Sequence, residues 1–91
     1  MKGTVAMQKL WYDPAWAAYI GWQRTDKKTI KRINQLLQSI ERNGLDCIGK
    51  PEPLKGNLSG WWSVRIDEQN RLVFKIENGT LFIYSCKGHY E

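Results

Sequence analysis

Residues 72–83 read LVFKIENGTLFI, and this stretch predicts a tight β-hairpin. Apolar side chains alternate with other side chains on both sides of Asn78-Gly79, and a period of two is typical of strands that bury one face. An Asn-Gly pair readily adopts the two positive φ angles of a two-residue turn. With the turn at this pair, Ile76 faces Leu81 across the hairpin, and both contribute to one apolar face.

The hairpin register also predicts the cross-strand pairs farther from the turn. These are Phe74 with Ile83 on the apolar face, and Val73 with Tyr84 and Arg71 with Cys86 on the opposite face.

A third strand precedes the hairpin and shows the same alternation, with apolar side chains at Trp62, Val64 and Ile66. The loop around 67–70 must keep these residues on the apolar face of the hairpin. A slip of one residue would turn every side chain over, so the connection needs an odd number of residues or a bulge. Arg65 and Arg71 then share the face that points away from the apolar side.

The N-terminal half of the chain predicts one short strand followed by a helix. Residues 9–12 (KLWY) read as the strand, and Asp13-Pro14 reads as a helix start with Asp as the N-cap and Pro at the first helical position. The predicted buried stripe of this helix follows the i, i+3, i+4, i+7 spacing. Its members are Trp16, Tyr19, Ile20 and Gln23, whereas Trp22 falls outside it and is expected to pack on the next helix.

A longer second helix follows almost without a linker. Thr25-Asp26 reads as its N-terminal cap, and Asn43-Gly44 reads as its C-terminal stop, because both residue types tolerate the left-handed backbone found there. Its apolar residues recur at helical spacing, at Ile30, Ile33, Leu36, Leu37 and Ile40. The short link predicts that the two helices form an antiparallel hairpin.

These elements predict an α+β fold, in which an N-terminal strand and an antiparallel helix hairpin pack on one face of a twisted antiparallel β-sheet. The other face of the sheet is expected to be open, basic and aromatic. Ninety-one residues suffice for one domain, 1–91, and residues 1–6 carry no pattern and are expected to be a flexible extension.

Composition favours an anionic partner. The formal net charge is +5 and the pI is about 9.4, a balance that favours nucleic acid, although excess charge also serves solubility or an acidic protein partner. Cys47 and Cys86 match no metal spacing, and Met1 to Leu10 lacks the apolar run of a secretory leader. The expectation is a cytoplasmic protein with two reduced thiols and no association with a membrane.

The segment KPEPLK, residues 50–55, places a carboxylate in a restrained backbone among cations. Pro51 and Pro53 fix their own φ angles and hold Glu52 extended, and neither proline donates a hydrogen bond to a sheet. An edge strand or an ordered loop is therefore expected. A rigid acid between Lys50 and Lys55 suits a general base near a phosphate, and an ordinary surface turn is the alternative interpretation.

Two more candidates for chemistry lie near the predicted sheet. His89 is the only histidine and follows the last strand, close to the face that carries Arg71. A terminal histidine is often an incidental surface residue. Only the position of His89 near Arg71 favours a functional role. Trp61 shares the face of Arg65 and is a candidate for contact with RNA, because aromatic rings on a basic sheet can stack unpaired bases.

Together these motifs resemble the YoeB/Txe toxins of the RelE/ParE superfamily. The resemblance covers about Met7 to Tyr90, and its strength lies in eight pieces that occur in order at natural spacing. They are Trp16 with Tyr19, WQRTDKK at 22–28, KRIN at 31–34, GKPEPLK at 49–55, NLSG at 57–60, WS at 62–63 with Arg65-Ile66, NRLV at 70–73, and His89-Tyr90.

This resemblance implies a RelE-like microbial ribonuclease fold and an endoribonuclease that cuts mRNA in the ribosomal A site, without a metal or other cofactor. It also implies a neutralising antitoxin of the Phd/YefM type, and the sequence leaves open whether the unbound toxin is a homodimer. By matching positions, Glu52 would be the general base, Arg71 the phosphate-stabilising cation and His89 the general acid. Tyr90 would position the phosphate or a base, and Lys55 and Arg65 would be supporting cations.

The chain departs from the family pattern at four places. Val64 stands where such toxins often carry a second arginine beside Arg65, which predicts one RNA contact fewer. Glu91 follows the tyrosine at which the family usually ends, six residues precede Met7, and Gly88 replaces a larger residue before the histidine.

Cleavage by such a set would use the RNA 2′-hydroxyl as nucleophile, which distinguishes RNA from DNA. Glutamate beside arginine should stay ionised and accept the hydroxyl proton, and histidine titrates near working pH and suits the acid role. Two alternatives stay open at this stage. One is a gyrase-inhibiting toxin of the ParE type, against which Glu52 and His89 argue, and the other is a non-catalytic RNA-binding module.

Overall fold

A computed structural model of the chain describes residues 7–88, which form one five-stranded sheet with two helices on one face. The strand order is β1-β5-β4-β3-β2. The strands are β1 (Gln8–Trp11), β2 (Glu52–Pro53), β3 (Trp62–Arg65), β4 (Arg71–Glu77) and β5 (Thr80–Ser85), and the helices are α1 (Asp13–Thr25) and α2 (Lys27–Asn43). Short 3-10 turns cover Gly44–Asp46 and Gly56–Leu58. The predicted α+β class is confirmed, with one correction to the sheet, because β1 runs parallel to β5.

The central hairpin forms at the predicted turn. Asn78 and Gly79 have φ angles of 51° and 76°, and Ile76 pairs with Leu81 as the alternation predicts. Phe74 likewise pairs with Ile83.

The register predicted beyond Phe74 is wrong. Val73 pairs with Ser85 rather than with Tyr84, because a bulge places one extra residue on β5 at this point. The shift also removes the predicted pair of Arg71 with Cys86, and the backbone N–H of Arg71 instead donates to the carbonyl of Gly88 at 2.9 Å. The bulge thus brings the end of the described chain beside the start of β4.

The third strand enters the sheet in the predicted phase. Arg65 pairs with Arg71 across five intervening residues, an odd number, so that both lie on the face away from the helices. Val64 and Ile66 are buried in the main core, and Trp62 packs against it. Val64 therefore faces the helices, so its side chain does not occupy a position on the exposed face that carries Arg65.

Helix α1 begins where the sequence predicts but buries a different stripe. Tyr12 is the N-cap and Asp13 lies in the first turn, so the predicted cap is wrong by one residue. The predicted stripe is wrong at Trp16, which is 48% exposed, and at Gln23, which is exposed, whereas Tyr19 packs against the core as predicted and Ala15 is fully buried. The small side chain of Ala15 allows a close approach of the helix to the end of β5, where Sγ of Cys86 lies 3.4 Å from the Ala15 carbonyl. Trp22, which was expected to pack on α2, packs against the main core.

Helix α2 follows its sequence pattern closely. The Asp26 carboxylate accepts hydrogen bonds from the backbone N–H groups of Lys28 and Thr29, at 3.1 Å and 3.2 Å, which satisfies two donors at the helix start. Gly44 ends the helix with a φ of 59°. The main core joins this helix to the sheet, with fully buried side chains at Ile33, Leu36, Ile40, Leu72, Phe74, Leu81 and Ile83.

The opposite face of the sheet is less open than predicted. A second apolar cluster there contains Leu54, Trp61 and Val73, with Leu58, Phe82 and Tyr84 packed around it. The 3-10 turn at 56–58 and the segment before it supply Leu54 and Leu58, which the alternation of the strands gave no reason to expect on this face. Two cations, Arg65 and Arg71, lie at one end of this face, and the ammonium of Lys75 lies over the cluster, 4.8 Å from the Trp61 ring centroid.

Cys47 and Cys86 are both buried, and neither forms a disulfide bond. Burial raises the pKa of Cys86 to about 11 and also raises that of Cys47. Within residues 7–88, neither helix has the length and apolar character needed to cross a bilayer. The predictions for residues 1–6 and for Glu91 lie outside the described residues.

Candidate functional site

Glu52 lies at the edge of the sheet, where the two flanking prolines predict it. Strand β2 contains only Glu52 and Pro53, and Glu52 pairs with Ser63 of β3. A proline on each side is compatible with this place because the outer edge of β2 needs no ladder hydrogen bonds. The register sends the Glu52 side chain to the face away from the helices, where it is 62% exposed.

Arg71 begins β4 and approaches Glu52 from the interior of the sheet. Its side chain is only 10% exposed. The Nη1 atom donates to Oε1 of Glu52 at 3.0 Å and to Oγ of Ser63 at 3.2 Å. Ser63 is almost fully buried. The guanidinium is thus fixed by a buried hydroxyl of β3 and by an exposed carboxylate at the edge of the sheet.

The guanidinium has five N–H donors, and both hydrogen bonds found within residues 7–88 use Nη1. A planar fork of this kind binds two oxygens of a phosphate at once. The arrangement can therefore receive an anion beside an exposed carboxylate, which is the chemistry that a base and a phosphate-stabilising cation require.

The end of β5 leads directly to Arg71. The backbone N–H of Gly88 donates to Oδ1 of Asn70 at 3.0 Å, and its carbonyl accepts from the N–H of Arg71. The indole of Trp22 donates to the carbonyl of Cys86 at 3.0 Å and ties the same segment to α1. The predicted roles of His89 and Tyr90 lie outside the described residues.

The three predicted substrate contacts differ in exposure. Arg65 is exposed next to Arg71 in the register, and its backbone N–H donates to the carbonyl of Gly49 at 2.9 Å. Lys55 is exposed, two residues beyond β2. Trp61 is only 9% exposed, and the ammonium of Lys75 lies 4.8 Å from its ring centroid, so the ring is not the open stacking surface that its phase predicts.

Sequence reasoning brought Glu52 and Arg71 together correctly but missed two residues that hold the site, Ser63 and Asn70. Ser63 lies opposite Glu52 in the sheet. This place follows only from the register of β2, which a strand of two residues, one of them a proline, does not define. Asn70 could have been suspected from its position immediately before Arg71. Within the described part of the chain, no group of three or more His, Cys, Asp or Glu side chains is arranged to hold a metal ion.

Comparison with known proteins gives a consistent assignment. Residues 11–90 match the family described as the YoeB-like toxin of bacterial type II toxin-antitoxin systems. The Toxin YoeB of Escherichia coli strain K12 is 45% identical over 84 residues, which cover 92% of this chain and 100% of that protein.

Solved structures agree with the sequence match. A YoeB dimer from Staphylococcus aureus has a TM-score of 0.88 at 45% identity and covers 94% of this chain and 100% of that one. The toxin in a heterotetrameric YoeB-YefM complex from the same organism has a TM-score of 0.86, with the same identity and coverage.

Proposed function

This chain belongs to the YoeB-like toxin family of bacterial type II toxin–antitoxin systems, and from that premise we propose that it is a ribosome-dependent endoribonuclease. It would cleave mRNA in the ribosomal A site and so inhibit translation. The observation that supports this proposal most strongly is the exposed Glu52 carboxylate bonded to the nearly buried Arg71 guanidinium, with the residue before His89 bonded to the Arg71 backbone.

In this mechanism Glu52 accepts the proton of the RNA 2′-hydroxyl as the oxygen attacks the adjacent phosphorus. Arg71 stabilises the negative charge that develops on the phosphate oxygens, and His89 donates a proton to the departing 5′-oxygen. The products are a 2′,3′-cyclic phosphate and a 5′-hydroxyl. Acid–base assistance contributes about 10²–10⁴-fold to such a rate, and a preorganised cation about 10²–10³-fold more.

The remaining predicted residues take supporting roles in the proposal. Tyr90 positions the scissile phosphate or a base, and Lys55 and Arg65 neutralise neighbouring phosphates. Trp61 acts from within the second apolar cluster, where its carbonyl accepts the N–H of Leu54 at 2.9 Å and so fixes the segment that follows Glu52. A direct contact between Trp61 and RNA would involve only the small part of the residue, 9%, that is exposed.

The partners follow from the same premise. The YoeB-YefM complex and the YoeB dimer of Staphylococcus aureus are assemblies of those proteins. For this chain we propose a neutralising antitoxin of the Phd/YefM type, a homodimer in the unbound state, and the cytoplasm as the place of action, where ribosomes and message meet.

The test is a translating extract programmed with a defined message, in which primer extension maps cuts with and without ribosomes. The proposal predicts cuts within the A-site codon, dependent on ribosomes, that end in a cyclic phosphate. A message with a single 2′-deoxy nucleotide at the cut should resist cleavage there, because it lacks the nucleophile. Inhibition of supercoiling without cuts would favour a gyrase inhibitor, and binding alone would favour a non-catalytic RNA-binding module.

A further inference from the structure

The loop between β3 and β4 contains more hydrogen bonds than a turn needs. The Asp67 carboxylate accepts the backbone N–H groups of Gln69 at 2.8 Å and Asn70 at 2.7 Å, which closes an Asx-type turn. In addition, Nδ2 of Asn70 donates to both carboxylate oxygens, each at 3.2 Å. The side chain of Asn70 is thus held by Asp67 although the turn is already closed by the backbone contacts.

The chemistry of these groups fixes which way the Asn70 amide faces. A carboxylate only accepts hydrogen bonds, so the amino end of the Asn70 amide must face Asp67. The carbonyl end then points away from the loop, and Oδ1 accepts the N–H of Gly88 at 3.0 Å. The two contacts form a continuous relay from Asp67 through Asn70 to Gly88.

Gly88 is held at both of its backbone groups by adjacent residues of the loop and strand. Its N–H donates to the Asn70 side chain, and its carbonyl accepts the N–H of Arg71 at 2.9 Å. Its φ of 97° lies in the region that favours glycine, so the chain turns sharply at this residue. The peptide that leads from Gly88 to His89 therefore starts at a fixed point beside the proposed phosphate-binding arginine.

We propose that Asp67 and Asn70 are positioning residues that clamp the C-terminal tail at Gly88 and thereby set where His89 enters the site. The inference rests on the proposed function for the role of His89, but the clamp itself is a property of the unbound protein. Neither residue touches the reacting atoms in this scheme. Their effect on cleavage is transmitted through the backbone of Gly88.

The clamp can be broken and rebuilt with isosteric changes. Asn70→Asp keeps an acceptor for Gly88 but sets two carboxylates against each other. Adding Asp67→Asn restores a donor that faces an acceptor, because the amide at position 67 now donates to the carboxylate at position 70. The amide oxygen at position 67 still accepts the two backbone N–H groups. Gln69→Glu is the matched control, because it adds the same charge to the exposed neighbouring residue without touching the relay.

Two readouts separate the clamp from the proposed activity. The first is the exchange rate of the Gly88 amide in the unbound protein, measured by NMR together with the imidazole resonances of His89, which are unambiguous in a chain with one histidine. The second is the single-turnover cleavage rate at saturating ribosome complex, with Tm as the check on folding.

Asn70→Asp should speed exchange of the Gly88 amide at least tenfold, shift the imidazole resonances and lower the single-turnover rate roughly 10- to 100-fold, as small misplacements of a reacting group do. The Asp67→Asn/Asn70→Asp pair should recover most of both effects, and Gln69→Glu should change neither. The inference is overturned by a Gly88 amide in the wild-type protein that exchanges as fast as an unprotected one, and this measurement requires no variant to fold. It is also overturned if the wild type cleaves and Asn70→Asp cleaves equally well. A wild type with a protected Gly88 amide but no cleavage would instead count against the proposed function alone.

Discussion

The carboxylate of Glu52 and the guanidinium of Arg71 are hydrogen-bonded at 3.0 Å before any substrate arrives. The Glu52 carboxylate is exposed to solvent, whereas the Arg71 guanidinium is nearly buried. The carboxylate of the pair therefore faces outward, and the cation is fixed within the sheet. In the proposed mechanism, a phosphate would meet a cation that protein groups already orient, and electrostatic stabilisation by such preorganised groups is usually the largest single contribution to catalysis.

The first prediction concerns the Ser63 hydroxyl, which accepts from Nη1 of Arg71 at 3.2 Å. Ser63→Ala should destabilise the protein by about 1–2 kcal/mol, because the buried guanidinium loses one acceptor that water does not replace. The single-turnover rate should fall about tenfold as Arg71 becomes less well oriented. Urea unfolding and single-turnover cleavage measure the two effects.

Ser39→Ala is the control for this change, since the Ser39 hydroxyl accepts the N–H of Ile48 at 3.0 Å in another part of the fold. It should alter stability but leave the cleavage rate unchanged. Equal rates for Ser63→Ala and the wild type would show that Ser63 has no part in orienting Arg71.

The second prediction concerns Arg65, which is exposed beside Arg71. If Arg65 contacts a phosphate, Arg65→Ala should raise KM about tenfold at moderate salt and reduce the slope of log KM against log salt by about one. Arg24→Ala removes an exposed arginine from the last turn of α1 and should leave the slope unchanged. The same slope of log KM against log salt for both variants would show that Arg65 does not contact a phosphate of the substrate.

The third prediction concerns Gly49, which has a φ of 94° and whose carbonyl accepts the backbone N–H of Arg65 at 2.9 Å. A Cβ there would meet Leu36 Cδ2 at 2.8 Å and Val64 Cβ at 3.0 Å. Gly49→Ala should therefore destabilise the protein by about 2–4 kcal/mol, from backbone strain and overpacking together. Gly56 has a φ of 64° and open space around it, so Gly56→Ala should cost only the backbone term, about 1–2 kcal/mol. Urea unfolding of both variants decides, and equal losses would show that packing against Leu36 and Val64 contributes nothing.

The fourth prediction concerns the pH dependence of the α2 cap. Hydrogen bonds from Thr29, first through its backbone N–H, lower the pKa of Asp26 below its ordinary value of 3.8. A lowered folded-state pKa means that the stabilisation is complete above the ordinary value and is lost as the pH falls through the folded value. Asn is an equally good cap without a titrating group. The Tm of the wild type should therefore fall relative to that of Asp26→Asn as the pH is lowered below about 4, and a constant difference in Tm would contradict the assignment.

Much of this fold could be predicted because several local patterns act independently of the rest of the chain. Asn78-Gly79 fixes the hairpin turn, Asp26 caps α2 through its own side chain, and two prolines confine Glu52 to a sheet edge. Each of these features needs only a few neighbouring residues to form. The resemblance predicts that Glu52 and Arg71 lie close together, and the two side chains are hydrogen-bonded at 3.0 Å.

Other features depended on contacts between distant parts of the chain. The bulge near Tyr84 forms where the end of β5 is tied both to α1 and to the start of β4, and alternation along one strand carries no information about these ties. The buried side of α1 contains Ala15, whose small side chain allows a close approach to the sheet. The sequence pattern does not predict this side, because the large aromatic residues at helical spacing indicate a different one. The alternation of the strands predicts an exposed Trp61, because Leu54 and Leu58, which pack in the same cluster, lie outside the strands.

The most direct test of the central claim is the single-turnover cleavage rate of Glu52→Gln on a ribosome-bound message. Glu77→Gln is a matched control, because Glu77 is also an exposed strand glutamate, 58% exposed and 3.5 Å from the ammonium of Lys75. The proposed role of Glu52 as general base predicts that Glu52→Gln folds with an unchanged circular dichroism spectrum and loses at least about 10²-fold in rate, while Glu77→Gln cleaves like the wild type. Cleavage by Glu52→Gln at the wild-type rate would contradict it.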